Sequence, residues 1–396
     1  MNPQYLVHLG RQPAISLAEI ESVYGARIIL EVHENFALLG KEINISRLGG
    51  SQKLTKVVAE SDAHEWPTLA KATKQYVQEL SKELEDGKLT LGLSLHGIQA
   101  NRRSISACLM DIKSSLKAQG RSMRAVEGKG IALSGAQVLH NKLFKPKKIE
   151  LSLVRFGGRT LLTRTLAVQD IEAYSRRDQG RPARDARVGM LPPKLAQILI
   201  NLSVGTYSPT TAHPKPTVLD PFCGTGVLLQ EGLLLDYNVY GTDLEPRMVE
   251  YSQKNINWLW DTHKLKDVDW HVEVGDATSH HWGETFTHIA AETYLGQPLS
   301  TLASPDDLRR IVPSVDKLHR DFLINMAGYL DSSQTLALGV PAWAKKDGSF
   351  THLPLLDSIG ELGYNFVDFE HASRKELIYH RPGQAVAREI LVLKKM

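Results

Sequence analysis

"VLDPFCGTGVLLQEGLL", Val218 to Leu234, sets an apolar strand, an acid, a glycine-rich turn and an apolar helix in immediate succession. Gly224 and Gly226 let backbone approach a ligand closely, and the helix that follows presents backbone N–H groups at its start. A dinucleotide fingerprint wants a third glycine three residues after the second, and that position holds Leu229. Asp220, at the strand end before the turn, would also crowd a pyrophosphate with like charge. The same acid suits the amino-acid ammonium of S-adenosylmethionine (SAM). The next strand, "NVYGTDLEP", ends in Asp243, seventeen residues after Gly226, where a carboxylate can bind both ribose hydroxyls. The third ends at "VGDAT", where Asp276 can accept from an adenine amino group and Ala277 can offer its backbone N–H to the ring. Phe222, Thr225 and Leu244, flanking these positions, complete the predicted cofactor contacts.

Outward from this turn the chain repeats strand and helix: "PKLAQILINLSVG", "TVLDPF", a helix from Gly226, "NVYGTD", "PRMVEYSQKNINWLW", "DWHVEVGDA", "THIAAETYLG", a helix near "SVDKLHRDFLINMAGYL", and "TLALGV". That alternation predicts an α/β domain with a mostly parallel, doubly wound sheet over 191–396. The last pieces, "YNFVDFE", "KELIYH" and "AREILVLKK", have shorter connections and predict antiparallel strands at one edge. Before it, 169–190 is rich in arginine, glycine and proline and is expected to be a linker. Residues 1–45 predict a small α+β domain. Residues 46–168 predict a second α+β domain, with Gly157-Gly158 as a hairpin turn between "KKIELSLVRFG" and "RTLLTRTLAV".

At 396 residues the chain exceeds one ordinary core. Hydrophobic residues at 42% and charged residues at 23% describe a globular protein, neither disordered nor fibrous. No apolar run reaches the ~18 residues of a membrane span, and the start lacks a signal-peptide layout, so a cytoplasmic location is expected. Cys108 and Cys223 show no paired spacing and His280-His281 no helical i, i+4 partner, so neither a disulfide nor a metal site is expected. The net charge of +3 hides an asymmetry. Residues 101–190 hold 19 Lys/Arg against 7 Asp/Glu, the footprint of a polyanionic partner, with a solvated lysine-rich surface as the plainer alternative.

"DPFCGTG", "GTDLEPRMVEYSQKNINWL" and "GDAT" resemble motifs of the class I, Rossmann-like SAM-dependent methyltransferases. "SRRDQGRPARDARVGMLPPKLAQILINLS" and the closing "IYHRPGQAVAREILVL" resemble, more closely, the THUMP-containing tRNA guanine N2-methyltransferases that modify position ten. The resemblance covers about residues 175 to 396 well. Over 45–165 it rests on the α+β pattern and the charge. It implies a THUMP-like RNA-binding domain over 46–168, SAM as cofactor, and tRNA or another structured RNA as partner. Arg102, Arg103, Lys147 and Lys148 would grip the RNA backbone in a salt-dependent way. Arg176, Arg177, Arg181 and Arg184 would carry RNA toward the site, or else serve linker solubility.

In that family the fourth strand ends in Asp-Pro-Pro-Tyr-Gly or a close variant. An amine conjugated to a purine is a poor nucleophile, so an oxygen must accept its hydrogens while an aromatic ring stacks on the flipped base. Here the strand reads "FTHIAAETYLGQPLS". With Gly296 against the family glycine, Glu292 replaces the acid, Thr293 and Tyr294 replace the prolines, and Leu295 replaces the aromatic. Glu292 as acceptor and Tyr294 as stacking face are therefore the catalytic candidates. Two other readings stay open: an RNA-binding protein that holds SAM without transfer, and a DNA adenine or guanine N-methyltransferase. Pyrimidine C5 methylation would need a cysteine nucleophile near this loop, and neither cysteine lies there.

Overall fold

The computed structural model describes residues 3–185, 191–206, 215–283, 285–299, 301–332 and 334–396. Five residues of the expected linker, 186–190, lie outside them. The chain divides into two compact units: Met1–Pro13, Arg27–Ser46 and Ser51–Glu172 form one, and Ala14–Ala26, Arg47–Gly50 and Ala173–Met396 form the other. No helix among the described residues is long and apolar enough to cross a membrane.

Unit 1 is built on nine strands: β1 (Tyr5–Leu9), β2 (Ile29–His33), β3 (Phe36–Leu39), β4 (Ser51–Ser61), β5 (Leu89–His96), β6 (Met123–Val126), β7 (Phe144–Lys145), β8 (Lys148–Phe156) and β9 (Arg159–Val168). They form one sheet in the order β2-β3-β1-β4-β9-β8-β5-β6, with β7 beside β8. The two small domains expected at 1–45 and 46–168 therefore share a sheet, joined where β1 pairs with β4. The helix "PAISLAEIESVY", α1 (Pro13–Tyr24), is mostly assigned to unit 2. Its continuous run Ile15 to Glu21 is buried, polar Ser16, Glu19 and Glu21 included, on too many sides for a helix with one wet face.

The helices α2 (Trp66–Glu83) and α3 (Arg102–Ala118) cover β5 and β8 with Leu69, Val77, Leu109, Ile112 and Leu116. Asn101 caps α3 by accepting from Ser104 N–H. The short α4 (Gly135–Asn141) opens on a Ser134/Gln137 capping box. The Gly157-Gly158 hairpin forms between β8 and β9 as expected, with Gly157 at φ +59°.

Unit 2 contains β10 (Thr217–Asp220), β11 (Asn238–Asp243), β12 (Trp270–Val274), β13 (His288–Glu292), β14 (Thr335–Ala344), β15 (Phe350–Thr351), β16 (Tyr364–Phe366), β17 (Ile378–Tyr379) and β18 (Val386–Lys395). The order is β12-β11-β10-β13-β14-β18-β16, parallel from β12 to β14 and antiparallel from β18 on. β18 lies inside the sheet between β14 and β16, so only part of the expected antiparallel set is at the edge. One face is covered by α9 (Pro305–Ala327) through Phe322, Leu323 and Met326. On the other, α7 (Val227–Leu234) and α8 (Pro246–His263) bring Leu229, Leu233, Ile256 and Leu259 onto β11 and β12, beside α6 (Pro193–Val204).

Two expectations change here. "SRRDQG" is not linker but the end of a helix, α5 (Ile171–Gly180), because Tyr174 and Arg177 find buried partners in Gln197 and Glu231. Helix α9 starts nine residues before Ser314 and runs through Pro313, from a capping box at Ser304 and Asp307 with Pro305 in the first turn. Pro313 suggests a helix start, yet here it sits on the third turn of a helix already nucleated upstream.

Candidate active site

Strand order reverses at β10, whose neighbours are β11 on one side and β13 on the other. In an open α/β sheet the crevice outside the carboxyl ends of the strands at such a reversal is where ligands bind. A cavity of about 540 Å³ opens there, within the range usual for small-ligand sites. Asp220, Phe222, Gly224, Thr225, Asp243, Leu244, Asp276, Ala277, Glu292 and Tyr294 all line it. Of the predicted cofactor and catalytic residues only Gly226 does not. Its role is steric: at φ +76° a Cβ would meet Ser252 Oγ at 2.8 Å, so the turn passes close over α8 only without a side chain.

The acids are held by the turns they terminate. Asp220 Oδ1 accepts from Phe222 N–H at 3.1 Å. Asp243 accepts from Gly224 N–H at 2.8 Å and from Glu245 N–H at 3.0 Å, tying the second strand to the glycine turn. Asp276 Oδ1 accepts from the backbone and hydroxyl of Thr278. Burial pushes the Asp220 carboxyl well above the usual carboxylate range; the Phe222 N–H opposes this, and the charges of Asp243 and Glu292 add to it. Burial also raises Asp243, against its two backbone donors.

This donor set decides between ligand classes. Phe222, Gly224 and Gly226 already spend their N–H groups on Asp220, Asp243 and the Cys223 carbonyl, and the carboxylates of Asp220, Asp243, Asp276 and Glu292 line the space. A pyrophosphate would meet acceptors there. A ligand carrying an ammonium, hydroxyls and an amino group meets what it needs, and Phe222, Leu244 and Met248 give it apolar walls. The residues present thus fit SAM and do not fit a dinucleotide.

The catalytic candidates are differently placed. Tyr294 is 44% exposed at the cavity. Glu292 ends β13, and its Oε1 accepts from Arg388 Nε at 2.8 Å, both side chains being largely buried, at 15% and 11% exposure. Thr293, in a proline position of the resembled motif, is buried. Its N–H donates to the Gly339 carbonyl at 3.1 Å, and its Oγ1 lies 2.7 Å from His319 Nε2. His319 Nδ1 lies 2.7 Å from the Val315 carbonyl, which can only accept, so Nδ1 carries the proton and Nε2 receives the threonine hydroxyl. Burial pushes His319 down to about 4, against the Val315 carbonyl and Asp316.

Arg388 and His319 were not singled out by the sequence, and Thr293 stood there only in a proline position with no role of its own. For Arg388 a signal existed: Arg388-Glu389 is a charged pair inside the otherwise apolar strand "AREILVL". For His319, twenty-six residues beyond Thr293, there was none.

The expected RNA contacts divide. Arg102, Arg103, Lys148, Arg176 and Arg184 are exposed. Lys147 is half-buried and donates to the Asp86 carbonyl and Glu85. Two expectations are corrected. Arg177 binds Glu231 through Nε and a terminal nitrogen at 2.7 and 2.9 Å. Arg181 is buried and pairs with Asp178 at 2.9 Å. Both guanidiniums hold the start of unit 2 together, so neither faces outward for a phosphate.

Known proteins place this arrangement. No family model matches the chain. It is 30% identical over 190 residues to the tRNA (guanine(10)-N2)-dimethyltransferase of Methanothermobacter thermautotrophicus, covering 48% of this chain and 49% of that protein. To the protein of the same name from Pyrococcus abyssi it is 34% identical over 121 residues, covering 30% and 32%. The chain thus matches about half or less of the length of these curated relatives. Among solved structures it is similar to TrmN from Thermus thermophilus, with 16% identity and a TM-score of 0.53 over 99% of this chain and 100% of that one. It is also similar to SMU.472, a putative methyltransferase complexed with SAH, with 11% identity and a TM-score of 0.50 over 100% and 98%. The fold is that of the class I methyltransferases. The segment Glu292–Gly296 lines the cavity beside β10 and β13.

Proposed function

We propose that the chain is a SAM-dependent RNA methyltransferase acting on the exocyclic N2 of a guanine in tRNA. One observation carries this reading: carboxylates from the ends of four adjacent parallel strands, Asp220, Asp243, Asp276 and Glu292, converge on one cavity with an exposed tyrosine at its mouth. The sequence similarity to tRNA guanine N2-dimethyltransferases supports the substrate class.

Asp220 would receive the ammonium of SAM, Asp243 its ribose hydroxyls, and Asp276 with the Ala277 N–H its adenine, while Phe222, Gly224, Thr225, Gly226 and Leu244 shape the pocket. SAM, when bound, supplies an electrophilic methyl group. Tyr294 stacks on the flipped base, and Glu292 accepts a hydrogen bond from its amine, drawing electron density onto the nitrogen. Unit 1 serves as a THUMP-like RNA-binding domain, with Arg102, Arg103 and Lys148 on the phosphate backbone.

Labelled-methyl transfer to total tRNA by the purified chain, followed by mass spectrometry of the nucleosides, tests the reading, with calorimetry for SAM binding. Glu292→Ala should lower transfer at least ~100-fold while SAM affinity stays within about threefold. Undiminished turnover in that variant would remove Glu292 from the mechanism. The Arg388 ion pair on Glu292 favours one second reading, a protein that binds SAM and RNA without transfer. SAM binding with no methylated product would establish it.

A further inference from the structure

Glu292 reaches the cavity from β13, and Arg388 comes to it from β18, two strands away, across β14. Opposite Glu292 on β14 stands Gly339, opposite Gly339 on β18 stands Ile390, and Arg388 is two residues earlier. A Cβ built on Gly339 would touch Arg388 Cβ at 3.8 Å, so a larger side chain there would occupy the path the guanidinium takes. Arg388 Nε then sits 2.8 Å from Glu292 Oε1. Asp220 from β10 feels the charges of both Glu292 and Asp243, and Glu245 and Arg247 also line the cavity. His319 of α9 lies one residue removed, against Thr293.

We propose that Arg388 is the residue that sets which base the site accepts. Paired with a guanidinium, Glu292 is a carboxylate that can only accept, and each of its oxygens has lone pairs to spare after the Arg388 bond. Such a group matches an edge with two adjacent N–H donors, the N1–H and N2–H of guanine. Adenine and cytosine present a ring acceptor beside their amine and leave one carboxylate oxygen facing a lone pair. Without Arg388 the bond that holds Glu292 Oε1 is gone, and the paired acceptor edge is no longer fixed against guanine. A group at this position that is both donor and acceptor, as an amide is, complements adenine instead. Arg388 thus acts through Glu292 and is a positioning residue. The inference rests on the function proposed above.

The test uses the full chain as Arg388→Gln, Arg388→Lys and Glu292→Gln, with SAM and tRNA transcripts, reading N2-methylguanosine against N6-methyladenosine by mass spectrometry. SAM affinity by calorimetry, within about threefold of the parent, shows each variant folded. Arg388→Gln should lower guanine methylation about 10- to 100-fold and shift the guanine-to-adenine product ratio at least ~10-fold toward adenine, whereas Arg388→Lys, retaining the charge, keeps the parent ratio. Glu292→Gln, which installs the amide directly, should shift the ratio the same way, and decides the matter where Arg388→Gln loses SAM binding. An unchanged ratio in folded Arg388→Gln, or in Glu292→Gln when that variant must stand in, overturns the proposal, as does a lysine variant as defective as glutamine. A parent protein that binds SAM but methylates no RNA overturns the function itself, a distinguishable result.

Discussion

Tyr294 is the residue whose role is most open to direct test, because it is 44% exposed at the cavity. If its ring carries the flipped base, Tyr294→Phe keeps the stacking face and should stay within about twofold of the parent in kcat/KM for RNA. Tyr294→Ala loses roughly 1–3 kcal/mol of stacking, about 5- to 150-fold in the same constant, with SAM affinity unchanged. Equal losses in both variants would assign the effect to the hydroxyl. Asp243 is the opposite case. Its oxygens bind Gly224 and Glu245 N–H groups, so Asp243→Ala frees the glycine turn as well as removing a ligand acceptor. Calorimetry should show SAM affinity lowered at least ~10-fold, about 1.4 kcal/mol. The strand-end acids were legible because each ends an apolar run beside a glycine or turn residue, a signal contained in about ten residues of sequence. Arg388 was less legible because its meaning depends on β18 lying beside β14, which no local pattern states.

At the scale of the element, the segment after β13 shows how a loop keeps its shape without the prolines of the motif it resembles. A proline fixes φ and forgoes an N–H. Thr293 instead uses its N–H on Gly339 and its hydroxyl on His319, whose ring is oriented by the Val315 carbonyl. The clasp spans β13, β14 and α9. Thr293→Val keeps the size but removes the hydroxyl, leaving His319 Nε2 buried without its donor. This should cost about 1–3 kcal/mol in urea denaturation, while Thr293→Ser stays near the parent. Thr293→Pro should lower activity, since it deletes the N–H that continues β13 onto β14. A proline variant as active as the parent would show that the clasp does not position the loop. The sequence over this stretch shows only missing prolines, because the compensating partner, His319, lies twenty-six residues on in a helix whose packing against β13 no local pattern states. The α/β rhythm, by contrast, was legible from one end of unit 2 to the other, since each strand and helix carries its own period. The single sheet of unit 1 was not, since strand pairing between β1 and β4 is a long-range fact.

At the scale of the molecule, the two units differ in how their buried charges respond to acid. Unit 1 buries His8 and His96, which pack edge to face. Burial holds His96 down to about 4, with Lys53 also lowering it and Glu150 opposing, and burial with Lys53 holds His8 well below its ordinary value. A histidine lowered from 6.5 to about 4 binds fewer protons folded than unfolded between those values. Its stabilisation is therefore present above pH 6.5 and is lost as the pH falls toward 4, by about 2 kcal/mol for His96 already at pH 5. Unit 2 has the same liability in His288 and His319, each held at about 4 chiefly by burial. It also buries acids with the opposite sign: Glu19, raised by burial to about 7 against donors from Asn201, Gly49 and Gly50, and Asp220, raised well above its usual range. A raised carboxyl binds more protons folded than unfolded, so acidification from about pH 7 toward 4.5 adds stability where the histidines subtract it. Among the described residues of unit 1 no buried acid supplies that offset. Amide hydrogen exchange at pH 7 and pH 5, corrected for intrinsic rates, should therefore show the β5–β8–β9 region of unit 1 losing protection by roughly 2 kcal/mol or more, while β10, β11 and β13 lose less. Replacing His96 with Gln should flatten the unit 1 response selectively. Equal losses in both units, or a larger one in unit 2, would show that the buried carboxyls do not carry the compensating protons assigned to them.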